Sequence, residues 1–188
     1  MKKRFIILLS VIFLFGASAC GSKESPETAV TNYLNAFNTL DTETISLYSS
    51  EEYTGELLND ESGSAALSKE MLQNMSFEIL SSEEKGDTAT VTVSITNTDA
   101  AIVLSEYVSS AFGLIFSGLS EEEMDAKMTE LLAAAFENNK ESTVTNEVTL
   151  SLSKENDQWK VLPDEEMLDA ILGGMYSIAE SMSNAFSE

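Results

Sequence analysis

The first part of the chain after residue 24 has the spacing of amphipathic helices. Apolar residues recur every three or four positions over 29–40, which gives that segment one apolar face. Ser25 and Pro26 precede it, and a capping hydroxyl followed by proline is a typical helix start. Shorter stretches with the same spacing follow around 45–48 and over 65–75. The pattern predicts three helices before any strand.

Two later segments alternate apolar and polar residues instead. Alanine, valine and isoleucine occupy every second position over 89–95, with threonine or serine between them. A similar alternation follows in 143–152, where Val144, Val148, Leu150 and Leu152 are the apolar residues. Each segment adjoins a polar turn, at 83–87 and at 154–157. Strict alternation is typical of antiparallel strands with one buried and one solvated face. The sequence therefore predicts two hairpins, which together form a sheet of about four strands.

A helical insertion is predicted between the hairpins, at about 100–138. Its first helix, 100–117, is apolar enough to raise the question of a membrane span, but Glu106, several serines and Gly113 favour a buried or groove-lining helix. The second helix, 121–138, begins with a capping box formed by Ser120 and Glu123.

A last helix is predicted from Pro163 onward. Gly173 and Gly174 interrupt it, either as a kink or as a close contact between helix and sheet. The predicted fold class is α+β, with N-terminal helices packed on a curved antiparallel sheet, a two-helix insertion and a C-terminal helix.

The first nineteen residues have the features of a secretory signal peptide. Three basic residues (Lys2, Lys3 and Arg4) precede the largely apolar run 5–15, and small residues follow over 16–19. The apolar run of 11 residues is short for a membrane span. We therefore interpret 1–19 as a segment that directs export.

Cys20, the single cysteine, directly follows Ala17, Ser18 and Ala19. This resembles the lipobox of bacterial lipoproteins, which implies cleavage between Ala19 and Cys20 and lipidation of the cysteine thiol. Ala17 departs from that pattern, which more often has leucine, and an ordinary signal peptidase would also accept Ala17 and Ala19. Lipidation is favoured because a lone exposed thiol is reactive in an oxidising compartment.

The lipobox resemblance implies an acylated protein, with palmitate as an expected fatty acid, on the outer face of the bacterial cytoplasmic membrane. Residues 20–24 are then the lipidated cysteine and a short tether, and 25–188 form a single domain.

Composition and charge exclude several function classes. Without residues 1–19 the chain keeps 7 basic residues against 32 acidic ones, a net charge of −25. Such a surface repels nucleic acid. The absence of histidine excludes imidazole-based catalysis and the usual zinc sites, and one cysteine excludes an internal disulfide. The acidic runs, such as 121–123, lack the spacing of calcium loops, so we expect no metal and no cofactor.

Methionines are the first candidates for a binding surface. Seven of them occur on helical faces expected to point at the sheet, where they either fill the core or line an adaptable groove. These residues are Met71, Met75, Met124, Met128, Met167, Met175 and Met182.

The chain after the signal also resembles small bacterial lipoproteins with a cystatin-like, nuclear transport factor two-like domain. The resemblance rests on 29–37, on Leu40 and Asp41, and on the closing strand 157–161 with Trp159. It implies that the opening helices pack in the concavity of the sheet. The insertion and the helix after Pro163 depart from the family.

Two functions follow as expectations. The first is a non-catalytic lipoprotein that binds a protein, a peptide or a small apolar ligand between sheet and helices. The alternative is a small-molecule isomerase or hydrolase, because enzymatic relatives place an acid and a tyrosine inside the sheet cone. Tyr33, Tyr48 or Tyr107 would supply that hydroxyl, and no residue spacing selects the acid.

Overall fold

The computed structural model describes residues 24–50, 63–114 and 117–185, and within these ranges the chain forms seven helices and four strands. The predicted α+β class is confirmed. The elements in chain order are α1 (Pro26–Thr39), α2 (Thr42–Tyr48), α3 (Gly63–Asn74), β1 (Ser76–Lys85), β2 (Thr88–Thr98), α4 (Ala100–Phe112), α5 (Glu121–Asn139), β3 (Thr143–Glu155), β4 (Gln158–Leu162), α6 (Glu165–Ile171) and α7 (Met175–Ala185).

The four strands form one open antiparallel sheet in the order β1-β2-β3-β4. The predicted hairpins are β1–β2 and β3–β4, and α4 and α5 connect β2 to β3. The two central strands pair over their whole shared length, from Thr88 opposite Ser153 to Thr98 opposite Thr143. The inserted helices therefore leave and rejoin the sheet at one end of its two central strands.

Both hairpin turns are shorter than the sequence predicts. The strands continue through residues 83–85 and 154–155, and each turn has only two central residues. Asn156 and Asp157 both adopt positive φ angles, of 51° and 66°. Asparagine and aspartate tolerate this left-handed region, which two-residue hairpin turns require. The predicted longer turns are wrong because the polar residues 83–85 and 154–155 pair with the neighbouring strand.

The main core lies on one face of the sheet, under α1 and α6. The alternating residues of β2 and β3 are buried there, together with Trp159, Tyr33 and Phe37. On the other face the hydroxyls of Thr92 and Thr149 lie 3.2 Å apart across the strands. This confirms the prediction of one buried and one solvated face.

A second, smaller core joins the inserted helices to the rest of the fold. We call it the small core, and it consists of Leu67, Met71, Ala100, Val103, Ala135 and Phe136. These residues come from α3, α4 and α5, and Met175 and Ile178 of α7 pack against them. The insertion is therefore attached to the domain by apolar packing as well as by the chain.

The segment after Pro163 forms two helices where the pattern predicts one interrupted helix. Gly173 and Gly174 have φ angles of +60° and +88°, which end α6 and redirect the chain into α7. The amide of Ala100 donates to the carbonyl of Gly173 at 3.0 Å, which ties this turn to the start of α4. Gly173 also lies against the carbonyl of Thr98 at the end of β2, which confirms the predicted close contact with the sheet. The predicted kink is wrong, because the glycines separate two helices and do not bend a single one.

Candidate functional site

The two inserted helices leave an apolar groove between them. We call it the hairpin groove. It consists of two adjoining hollows of about 330 and 350 Å³ that share Tyr107 and Met128. Its principal lining residues are Tyr107, Val108, Phe112, Met124, Met128 and Leu132.

Helical periodicity explains why these residues form a single surface. The α4 residues that line the groove, from Leu104 to Phe112, recur at intervals of three and four and share one face. Met124, Met128 and Leu132 follow one another at intervals of four along α5. Because the helices run in opposite directions, Phe112 and Met124 lie toward the connecting loop. Leu104 and Leu132 lie toward the small core.

The loop end of the hairpin groove exposes large apolar side chains. Phe112 retains 65% of its accessible surface and Val108 retains 44%. The inner end is lined by Leu67 and Met175, which belong to the body of the domain. An exposed cluster of this kind is typical of a surface that a ligand or a partner covers.

Acidic residues flank this apolar surface. Helix α5 contains six acidic residues and a single lysine. That lysine, Lys127, already forms an ion pair with Glu130 at 2.6 Å. Glu121 and Asp125 are exposed and precede Met124 and Met128 by three positions, which places them beside the groove.

Glu106 links α4 to α5 at the end of the helix pair that is farther from the connecting loop. Its carboxylate accepts hydrogen bonds from the side-chain amides of Asn138 at 2.7 Å and Asn139 at 2.5 Å. These bonds lower the pKa of Glu106 below its usual value. Glu106, whose charge disfavours a membrane span, thus connects α4 to α5. None of the helices described here has the length and apolar character to cross a bilayer.

The methionines are divided between core and groove. Met71, Met75 and Met167 are buried, as their packing role predicts. Met124 and Met128 line the hairpin groove instead, and the expectation that they face the sheet is wrong. Met175 is partly buried at the inner end of the groove, and the side chain of Met182 lies outside the described residues.

The space between α1 and the sheet is filled by side chains. Tyr33 packs edge-on against Phe37, with ring centroids 5.0 Å apart, and its hydroxyl accepts from Ser49 Oγ at 3.3 Å. Burial raises the pKa of Tyr33 to about 12. No aspartate or glutamate is among the buried side chains of the described ranges. The predicted groove between sheet and helices is therefore filled by the main core.

The other two candidate tyrosines are Tyr48, which belongs to the edge of the main core at 8% exposure, and Tyr107. Tyr107 lines the hairpin groove. Tyr48 donates to Glu24 Oε1 at 2.7 Å, and Asn32 Nδ2 donates to both groups, at 2.9 Å to Tyr48 and 3.1 Å to Glu24. Partial burial and then the Glu24 carboxylate raise the pKa of Tyr48. The acid–tyrosine pair that the structure shows therefore joins the start of the domain to α2.

The acidic runs within the described ranges serve as helix starts. Ser120 and Glu123 form the predicted capping box of α5, with Ser120 N donating to Glu123 Oε2 at 2.9 Å. Asp164 accepts from Met167 N at 2.9 Å at the start of α6. Over the ranges that can be described, no three carboxylate, thiolate or imidazole side chains converge as metal ligands. The predicted signal peptide 1–19 and the predicted lipidation site Cys20 lie outside the described residues.

Comparisons with known proteins give one distant structural similarity. No family model matches the chain, and no curated protein sequence matches it. The fold is similar to that of the candidate lipoprotein ycdA from Bacillus subtilis, with a TM-score of 0.45 and 14% identity. The alignment covers 80% of this chain and 50% of ycdA, so the chain spans about half the length of that protein. A similarity this distant carries no information about ligand or activity.

The hairpin groove is a feature that the sequence indicated only in part. The apolar character of 100–117 predicted a buried or groove-lining helix, and α4 is groove-lining over most of its length. The sequence did not show that α5 is the other wall. The signal that indicated this wall was the interval of four between Met124, Met128 and Leu132, on a helix rich in polar residues.

Proposed function

We propose that this protein is an extracytoplasmic lipoprotein that binds an apolar group of a partner in the hairpin groove and carries out no reaction. The observation that carries the proposal is the exposed apolar cluster of Phe112 and Val108 at the mouth of the groove. Each hollow is close to the lower limit of volumes usual for small-molecule sites, about 300 Å³. A groove of this size accommodates a few apolar side chains or a small ligand.

The proposed anchor is the acylated Cys20, on the outer face of the bacterial cytoplasmic membrane. The support is the sequence itself, in which a basic cluster, the apolar run 5–15 and the small residues 16–19 precede Cys20. Two acyl chains bind a bilayer stably, whereas one binds only marginally. Glu24, held by Tyr48, lies four residues after Cys20, so the tether reaches at most about 14 Å. The domain would therefore stay close to the membrane.

The cystatin-like assignment also remains part of the proposal. Its support is the arrangement of opening helices against one face of an antiparallel sheet, with Trp159 buried on the last strand. The inserted helices, which depart from that family, form the groove.

A binding role is favoured over the isomerase or hydrolase. The hydroxyl of Tyr33 contacts Ser49 inside the filled core, and the Tyr48–Glu24 pair lies at the domain start. Tyr107 lines the hairpin groove, but none of the described residues that line this groove is acidic. None of the three candidate tyrosines therefore combines an acid with an open cavity in the sheet, which the catalytic alternative would need.

A neutral apolar fluorophore tests the groove. Titrating N-phenyl-1-naphthylamine into the mature chain, with Cys20→Ser to prevent acylation, should give a saturable fluorescence increase. Val108→Ser should weaken this binding at least about fivefold, because it places a hydroxyl in the apolar wall. Ile102→Ser is the matched control, since Ile102 is on the same helix with 41% exposure but does not line the groove. Equal binding by both variants would contradict the proposal.

A further inference from the structure

We propose that the natural occupant of the hairpin groove is a positively charged amphipathic helix of a partner protein, lying along α4 and α5 as a third helix. This inference rests on the proposed function and specifies its partner. It follows from the shape, the side chains and the charge of the groove.

The shape matches a helix. The lining residues extend from Leu104 to Phe112 on α4 and from Met124 to Leu132 on α5, eight residue steps on each. At 1.5 Å per residue each wall is about 12 Å long, or two helical turns. Two packed helices that leave a shared apolar face are completed by a third, as in helix-in-groove recognition. A partner helix would place two or three apolar side chains, spaced by three or four residues, in the groove.

The side chains favour an apolar partner face without selecting one shape. Met124 and Met128 form most of the α5 wall at the loop end, and thioether side chains adapt to differently shaped apolar groups. Tyr107 lies at the junction of the two hollows. Aromatic side chains are enriched where interfaces are most deeply buried.

The negative charge around the groove favours a positively charged partner. Glu121 and Asp125 flank the groove, and Lys127, the lysine of α5, is already paired with Glu130. The chain without its signal carries a net charge of −25. A second copy of this protein or an anionic membrane surface would be repelled, whereas lysine or arginine beside the apolar anchors would be attracted.

Two labelled 18-residue peptides test the inference. Both have leucine at positions spaced as on one helical face, and the other positions are lysine in one peptide and glutamate in the other. The mature Cys20→Ser chain should bind the lysine peptide, with weaker binding at higher salt concentration, and the circular dichroism of the peptide should become more helical. The glutamate peptide should not bind.

Variants of the protein locate the contact. Glu121→Gln with Asp125→Asn should weaken lysine-peptide binding about threefold to tenfold, because each exposed ion pair contributes at most about fivefold. Glu165→Gln with Glu166→Gln, in the first turn of α6, is the matched control and should change nothing. Val108→Ser should also weaken binding, whereas Ile102→Ser should not.

The other outcomes separate this inference from the proposed function. If the neutral fluorophore binds the groove and the lysine peptide does not, the proposed function remains supported and the inference of a positively charged partner helix is wrong. Equal binding of both peptides, or binding without a gain in helicity, would also overturn the inference. A dimer that Val108→Ser dissociates would identify a second copy as the occupant. Groove-dependent binding to phosphatidylcholine vesicles would identify a membrane surface.

Discussion

Replacing Gly173 with alanine should destabilise the domain far more than the same change at the next residue. A Cβ on Gly173 would lie 1.9 Å from the carbonyl oxygen of Thr98 and 2.9 Å from the Cε of Met71. No real contact is that short, so the chain between α6 and α7 must move away from the end of β2. That movement strains the hydrogen bond between Ala100 N and the Gly173 carbonyl.

The magnitude follows from two separable contributions. A positive φ costs a residue with a Cβ about 1–2 kcal/mol. Forcing extra atoms into a packed contact costs about 1–3 kcal/mol more. Gly173→Ala should therefore lower the free energy of unfolding by about 2–5 kcal/mol. Gly174 also has a positive φ, but its added Cβ would meet nothing within 4 Å, so Gly174→Ala should cost only the first contribution.

Urea unfolding measures the difference, with the fluorescence of Trp159 as the probe. Trp159 is the single tryptophan and is buried in the main core. Both variants should lower the midpoint while the slope with urea stays the same. Equal destabilisation of the two variants would contradict this prediction, because the close contact between Gly173 and Thr98 would then have no energetic role.

Three further predictions concern single side chains. Burial raises the pKa of Tyr33 from 10.0 to about 12, so its contribution to stability is complete below pH 10 and is lost as the pH rises toward 12. The loss should reach roughly 3 kcal/mol and be absent in Tyr33→Phe, as measured by urea unfolding at high pH. Asn97→Ala should lower the free energy of unfolding by about 2–4 kcal/mol, because the buried side-chain amide of Asn97 donates to the carbonyl of Ile171 at 2.6 Å. A melting temperature close to that of the unchanged protein would contradict this prediction. Because the pKa of Glu106 is lowered, its carboxylate stabilises the fold above the ordinary pKa of glutamate, and this stabilisation is lost as the pH falls through the lowered pKa. Hydrogen exchange of α4 and α5 should therefore become faster in acid relative to the other helices. Glu106→Gln should remove this acid sensitivity.

Much of the fold was predictable because it depends on local patterns. The alternation of β2 sets which residues face the core, and its register with β3 follows from that face. The capping box at Ser120 and Glu123 marks the start of α5 to the residue. Both features are encoded within a few positions, where spacing and hydrogen-bonding groups decide the outcome.

The candidate site was harder to predict because it depends on which faces remain uncovered. Spacing assigns an apolar face to α4, but it does not show that the core leaves Val108 and Phe112 exposed. Likewise, the pattern after Pro163 fits one helix, and the contact of Gly173 with Thr98 is between residues distant in sequence. The predicted binding groove between sheet and helices is filled, because large side chains such as Tyr33 and Trp159 occupy the space between α1 and the sheet.

The most direct test of the proposed lipid anchor and binding role is native mass spectrometry of the chain extracted in mild detergent from its own cells. We expect a polypeptide that starts at Cys20 and is heavier than its sequence by about two or three acyl chains, with a bound basic polypeptide retained under gentle conditions. A polypeptide of bare sequence mass would contradict the anchor.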